Sequence, residues 1–226
     1  MNLKTTLSGQ SFFPHESPQK LIFMLHGYGD SAENFIHIAT ILDKLNFKVN
    51  YLALNAPSSI PNYSSGRQWF NLYPNGIYID DAGPKEIKTI QSEILIVNKV
   101  LENTIRNVAN KFKLSLRDCF LLGFSQGGMM TFEFGNYTLS PLGGLAILSG
   151  RIIKEDIVTN KSLLNTPIFI SHGDNDNVLP IKVYYQACNF LKKNKISHES
   201  YKLEGDAHTI SLNAITLLQK FINKNL

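Results

Sequence analysis

Gly123-Phe124-Ser125-Gln126-Gly127-Gly128 is the stretch on which the fold turns. It follows the apolar run Cys119-Phe120-Leu121-Leu122 and precedes Met129-Met130-Thr131-Phe132-Glu133-Phe134, which reads as a helix. A serine thus stands between a buried strand and a helix, with one glycine two residues before it and another two residues after it. This is the G-x-S-x-G arrangement of a nucleophile elbow. So sharp a turn strains the serine backbone and draws its flanks together until side chains there would clash. It also exposes the serine hydroxyl and aims the first N–H groups of the helix at the space in front of it. Ser125 is therefore the candidate nucleophile.

Short apolar runs alternate with longer amphipathic ones through the rest of the chain. Leu21-Ile22-Phe23-Met24-Leu25 runs into His26-Gly27 and reads as a strand buried on both faces. Further strands are expected at Val49 to Leu54, Leu145 to Leu148, Pro167 to Ser171 and Glu199 to Leu203. Helical spacing covers Ala32 to Leu45, Glu86 to about Phe112, Lys182 to Lys193, and Ile210 to about Ile222. Such alternation predicts βαβ units, a mostly parallel sheet and a site at the carboxyl ends of the strands. His26-Gly27, Ser125, His172-Gly173 and the loop of His208 all follow strand-like runs. One segment breaks the rhythm. Ala56 to Pro84 is rich in Pro, Ser, Asn and Gly and holds the only tryptophan, Trp69. A loop of that length is functional or disordered, and its aromatic residues argue against disorder.

Composition narrows the class. A chain of 226 residues, 43% hydrophobic, suits a single α/β domain over residues 1–226 with a sizeable core. The net charge of +4 comes without a dense Lys/Arg block, so it reads as solvated surface charge and excludes nucleic acid as the expected partner. Cys119 and Cys188 lie in apolar segments and read as buried free thiols, which fits a reducing compartment. The first residues lack an apolar core of signal-peptide length, and no run approaches the ~18 apolar residues of a membrane span. A cytoplasmic protein without an integral span is expected.

A serine hydroxyl needs a histidine base, and that histidine needs a carboxylate to fix its tautomer. Both candidates follow Ser125 in the chain. His208 lies in the polar stretch Glu204-Gly205-Asp206-Ala207-His208, between the last strand and the last helix, and is the best base. The acid is Asp174 or Asp176, both in His172-Gly173-Asp174-Asn175-Asp176-Asn177-Val178-Leu179-Pro180; Asp174 has capping of the following turn as its alternative. Asp206 is too near His208 in sequence to be the obvious orienter. His26 and His172 read as structural residues that bond loop backbone, either within reach of the site. One oxyanion donor should be the N–H of Gln126, and the second should come from Leu25-His26-Gly27-Tyr28-Gly29-Asp30.

Together, Leu25-His26-Gly27-Tyr28-Gly29-Asp30, Gly123 to Gly128, His172 to Pro180 and Gly205-Asp206-Ala207-His208 resemble the phospholipase/carboxylesterase family, which includes acyl-protein thioesterases and small bacterial carboxylesterases. The resemblance covers nearly the whole chain. It implies an α/β-hydrolase fold: a mostly parallel central sheet, helices on both faces and no large lid domain. Its H-G-x-x-D pattern implies Asp176 as the acid, and it implies Tyr28 and Gln126 as the oxyanion donors. Many members carry leucine at the position of Tyr28, which changes pocket shape and leaves the backbone donor in place. Gly66-Arg67-Gln68-Trp69-Phe70-Asn71-Leu72 is more similar to the bacterial carboxylesterase branch than to the eukaryotic thioesterases.

The resulting expectation is a serine carboxylesterase acting through Ser125, His208 and Asp176 on a small-molecule or lipid ester, with no metal or cofactor. Lysophospholipids or acyl thioesters are the alternative substrates of the same site, and a non-catalytic binding protein is the rival from another class. Trp69, Phe70, Tyr73 and Leu179 are candidates to line an acyl groove, with anchoring in the core as their alternative.

Overall fold

An unbroken apolar run becomes a strand when both of its faces are covered, and the computed structural model, which describes residues 6–43, 48–153 and 159–226, is built on that rule. Its strands are β1 (Gly9–Phe12), β2 (Lys20–Leu25), β3 (Val49–Leu54), β4 (Ser58–Ile60), β5 (Tyr63–Gln68), β6 (Cys119–Phe124), β7 (Gly144–Leu148), β8 (Ile168–Gly173) and β9 (His198–Leu203). Seven of them form one sheet in the order β1-β3-β2-β6-β7-β8-β9. Strand β1 runs antiparallel to β3, and every other pairing in the sheet is parallel. The helices are α1 (Ala32–Phe35), α2 (His37–Leu42), α3 (Pro84–Lys111), α4 (Gln126–Tyr137), α5 (Lys161–Leu164), α6 (Lys182–Lys193) and α7 (Leu212–Lys224).

Strand β2 displays the two-sided burial. Leu21, Phe23 and Leu25 join a core with Ile90, Ile94 and Leu101 of α3 and Phe132 of α4. Ile22 and Met24 face the other way, into a core with Ala32, Phe35 and Ala39 and with Leu218, Phe221 and Ile222 of α7. Period-two alternation therefore sends successive apolar side chains into two separate layers. Each fully buried Leu, Ile or Phe contributes about 1.5–3 kcal/mol of burial. The sheet is thus clamped between helical layers, and its carboxyl edge is held as a rigid platform for the loops that follow β2, β6, β8 and β9. The fold is the mostly parallel α/β sheet expected, with no large lid among the described residues.

Four local features differ from the sequence reading. The helix read over Ala32 to Leu45 is divided into α1 and α2 at Ile36, which keeps helical angles (φ −61°, ψ −25°); Leu45 lies outside the described residues. The segment Ala56 to Pro84 contains the antiparallel hairpin β4–β5 and two 3-10 turns, Pro74–Gly76 and Ile79–Asp81. Strand β1, an edge strand with a largely exposed face, was not foreseen. Cys119 is a buried free thiol as expected, whereas Cys188 is only half-buried.

Candidate active site

Ser125 occupies the turn between β6 and α4 with φ 55° and ψ −117°. A positive φ at a non-glycine residue costs on the order of 1–3 kcal/mol and persists only where the surroundings enforce it. Here its N–H donates to Leu148 O of the neighbouring strand β7 at 2.9 Å, and its C=O accepts from Met129 N at 3.1 Å. Gly127 lets this turn close against β2: a Cβ there would stand 2.0 Å from Leu25 O and 2.7 Å from His26 O. The loop after β2 is thereby laid beside the N-terminus of α4.

His208 Nε2 lies 2.9 Å from Ser125 Oγ, and its Nδ1 lies 2.7 Å from Asp176 Oδ2. With Nδ1–H donating to the carboxylate, Nε2 is left to accept from the hydroxyl. The Phe124 ring packs on the imidazole with centroids 4.8 Å apart. The loops carrying acid and base meet at Gly173, where a Cβ would stand 2.2 Å from Asp206 O and 2.6 Å from Ala207 O.

Asp176 is buried, and its second oxygen, Oδ1, accepts from Val178 N at 2.9 Å and Leu179 N at 2.8 Å. The residue reading left Asp174 as an alternative acid. Its Oδ1 instead accepts from Gly205 N at 2.8 Å, and its Oδ2 lies 3.5 Å from Lys202 Nζ, so it ties the ends of β8 and β9 together. Asp206 accepts from the Ser211 hydroxyl at 2.5 Å.

His172 bonds loop backbone, as its structural reading has it, and lies beside the acid. Its Nε2–H donates to Leu179 O at 2.7 Å and stands 3.3 Å from Asp176 Oδ2. Burial, the largest influence on it, holds its pKa below the ordinary histidine value against the pull of the Leu179 carbonyl and Asp176. The ring therefore stays neutral beside the acid.

Tyr28 and Gln126, the expected oxyanion donors, both line the cleft that opens at Ser125. The Gln126 side chain has a task the sequence did not signal. Almost wholly buried, it accepts from Trp69 N at Oε1 (2.9 Å) and donates from Nε2 to Phe70 O (2.8 Å). The Trp69 indole N–H donates to His26 O at 2.9 Å. His26 Nε2 in turn accepts from Ala56 N at 3.1 Å, which leaves its Nδ1–H to donate to Gly27 O at 2.7 Å. Burial again lowers this histidine's pKa, with the Gly27 carbonyl opposing.

The cleft has a volume of about 290 Å³ and is walled by Leu72, Tyr73, Tyr78, Met129, Val178 and Leu179. Two of the four candidate groove residues, Tyr73 and Leu179, are on that wall. Trp69 and Phe70 are not: each is 1% exposed and belongs to the core behind it. Among the described residues, no three His, Cys, Asp or Glu side chains are grouped as a metal site would require, and no helix is long and apolar enough to cross a membrane.

Comparison with known proteins agrees with this geometry. Residues 12–226 match the family described as phospholipase/carboxylesterase. The chain is 30% identical over 225 residues to acyl-protein thioesterase 1 of Kluyveromyces lactis, covering 92% of each chain. It is 25% identical to carboxylesterase SOBER1 of Arabidopsis thaliana, covering 91% of this chain and 90% of that one. The crystal structure of esterase PE8 superposes with a TM-score of 0.82 at 25% identity, covering 98% of this chain and all (100%) of that one. Relatives of both kinds, thioesterase and carboxylesterase, are thus present.

Proposed function

Because the chain belongs to the phospholipase/carboxylesterase family, we propose that it is a serine ester hydrolase whose nucleophile is Ser125. The observation that carries this reading is the pair of contacts at His208, 2.9 Å to Ser125 Oγ and 2.7 Å to Asp176 Oδ2. His208 Nε2 takes the hydroxyl proton as Oγ bonds to the acyl carbon. The carbonyl oxygen gains negative charge and is received by the backbone N–H groups of Tyr28 and Gln126. The positive end of α4 favours the same charge. The imidazolium is held by Asp176 and gives its proton to the departing alcohol. Water, activated by His208, then releases the acid from the acyl-enzyme and restores Ser125. These steps use no metal or cofactor, and nucleic acid has no part in them.

The substrate is an ester of a small molecule or a lipid. A cleft of about 290 Å³ is near the small end of ligand sites, which supports short to medium acyl chains. The thioesterase relative at 30% identity favours a second reading, acyl thioesters at the same serine. The free thiols fit a cytoplasmic setting.

The test is turnover of p-nitrophenyl esters by wild type and Ser125→Ala, with fluorophosphonate labelling read by intact mass. Loss of both turnover and label in the variant is expected; near-wild-type turnover would overturn the assignment. A matched series of oxyesters and thioesters over rising acyl length then ranks the two substrate readings.

A further inference from the structure

Trp69 is hydrogen-bonded to both halves of the oxyanion site. Its backbone N–H donates to the Gln126 side chain at 2.9 Å, and its indole N–H donates to His26 O at 2.9 Å. Residue 126 carries one proposed donor, and His26 begins the loop that carries the other, Tyr28. We propose that Trp69 and the Gln126 side chain are positioning residues that fix the spacing between the Tyr28 and Gln126 amides. This rests on the ester-hydrolase reading of the site.

Further bonds make the arrangement a closed frame. On the loop side, Gly29 N donates to Arg67 O at 2.9 Å and Ala56 N donates to His26 Nε2 at 3.1 Å. On the helix side, Gln126 Nε2 donates to Phe70 O at 2.8 Å. Residues 67–70 therefore contact the loop after β2 through Arg67 and Trp69, and the start of α4 through Trp69 and Phe70. Trp69, Phe70 and Gln126 are each 1% exposed, where hydrogen bonds are strong and an unmade one is expensive. An oxyanion is stabilised only when its donors sit about 2.7–3.1 Å from the place the charge develops. Two donors on separate elements need a common ruler, and Trp69 spans both. An acyl-groove role would require an accessible indole face, and Trp69 has none.

The assignment predicts a distinctive kinetic pattern. Trp69→Phe keeps an aromatic ring in the core and removes the N–H to His26 O. A displaced donor should lower kcat by about tenfold to a hundredfold while KM changes by less than about twofold. Affinity for a trifluoromethyl ketone, which forms a tetrahedral adduct on the serine, should fall by the same factor. Affinity for the product carboxylate should not. Gln126→Met, which removes the other half of the frame, should give the same pattern. The double variant should lose less than the product of the two single losses, because both break one frame.

Unchanged kcat and unchanged ketone affinity in Trp69→Phe would overturn the proposal. So would equal losses for the ketone and the product, which would mark a merely structural residue. A raised KM with a shifted acyl-length profile would return Trp69 to the groove. If Trp69→Phe does not fold, Gln126→Met decides alone. Failure of wild type to label with fluorophosphonate would instead remove the hydrolase reading itself.

Discussion

Leu179 donates its backbone N–H to Asp176 Oδ1 at 2.8 Å, while its side chain forms part of the cleft wall beside Ser125. The carboxylate bonded to His208 is therefore also the acceptor that holds the wall in place. The two roles can be separated by substitution. Asp176→Asn retains an oxygen for the Val178 and Leu179 amides and presents an NH2 group to His208 Nδ1, which enforces the wrong tautomer. It should reduce kcat about 10⁴-fold with little loss of stability. Asp176→Ala should be equally inactive and less stable by about 1–3 kcal/mol for each buried donor left unpaired. Urea unfolding of the two variants checks this, and equal midpoints would refute it.

Strain at Ser125 gives a second prediction. Its φ of 55° penalises alanine as it does serine, but not glycine. Ser125→Gly and Ser125→Ala should both be inactive, with the glycine variant more stable by about 1 kcal/mol, because strain relief outweighs the added entropy of the unfolded chain. The reverse order in denaturant midpoints would mean that the elbow is unstrained.

Two buried neutral histidines set an acid limit. His26 and His172 both have pKa values held below the ordinary one, chiefly by burial. Below the unfolded value of about 6.5, the unfolded chain binds up to two more protons than the folded one. Unfolding free energy should therefore be fully present above about pH 6.5. It should fall as pH drops below that, with a slope approaching about 2.7 kcal/mol per pH unit. Urea titrations between pH 8 and pH 5 measure it; a flat profile would mean that the rings accept protons in place.

The cleft makes a prediction about acyl length. Met129 lies one turn of α4 beyond Ser125 and is a wall residue. Met129→Phe should narrow the cleft and lower kcat/KM for an octanoate ester about tenfold relative to acetate. An equal effect on both esters would show that the acyl chain lies elsewhere.

Much of this architecture was legible in the sequence because both faces of β2, β6, β7 and β8 are covered, and double burial writes itself as an unbroken apolar run. Strand-end placement then singled out Ser125, His208 and the pair Asp174 and Asp176, since a parallel sheet presents every such end on one edge; the resemblance alone chose Asp176. Exposure erased the rest of the pattern. Strand β1 is Gly-Gln-Ser-Phe and β5 is Tyr-Ser-Ser-Gly-Arg-Gln, and neither alternates in the way a half-buried strand should. Trp69 stays open between groove and core for a different reason. An aromatic residue in a long polar segment suits a groove or a core equally well, and its partners, His26 and Gln126, lie 43 and 57 residues away. The task of the Gln126 side chain was hidden in the same way, because bonds to distant backbone atoms leave no local signature.

The sheet order also governs when activity can first arise during folding. Ser125 follows β6 and His208 follows β9, with β7 and β8 between them, so the 2.9 Å contact exists only after three successive parallel pairings. Pairings between segments so far apart in the chain are slow steps. Turnover is thus a clock for the last of them: in a refolding experiment, helix signal should return before the first molecule of ester is cleaved.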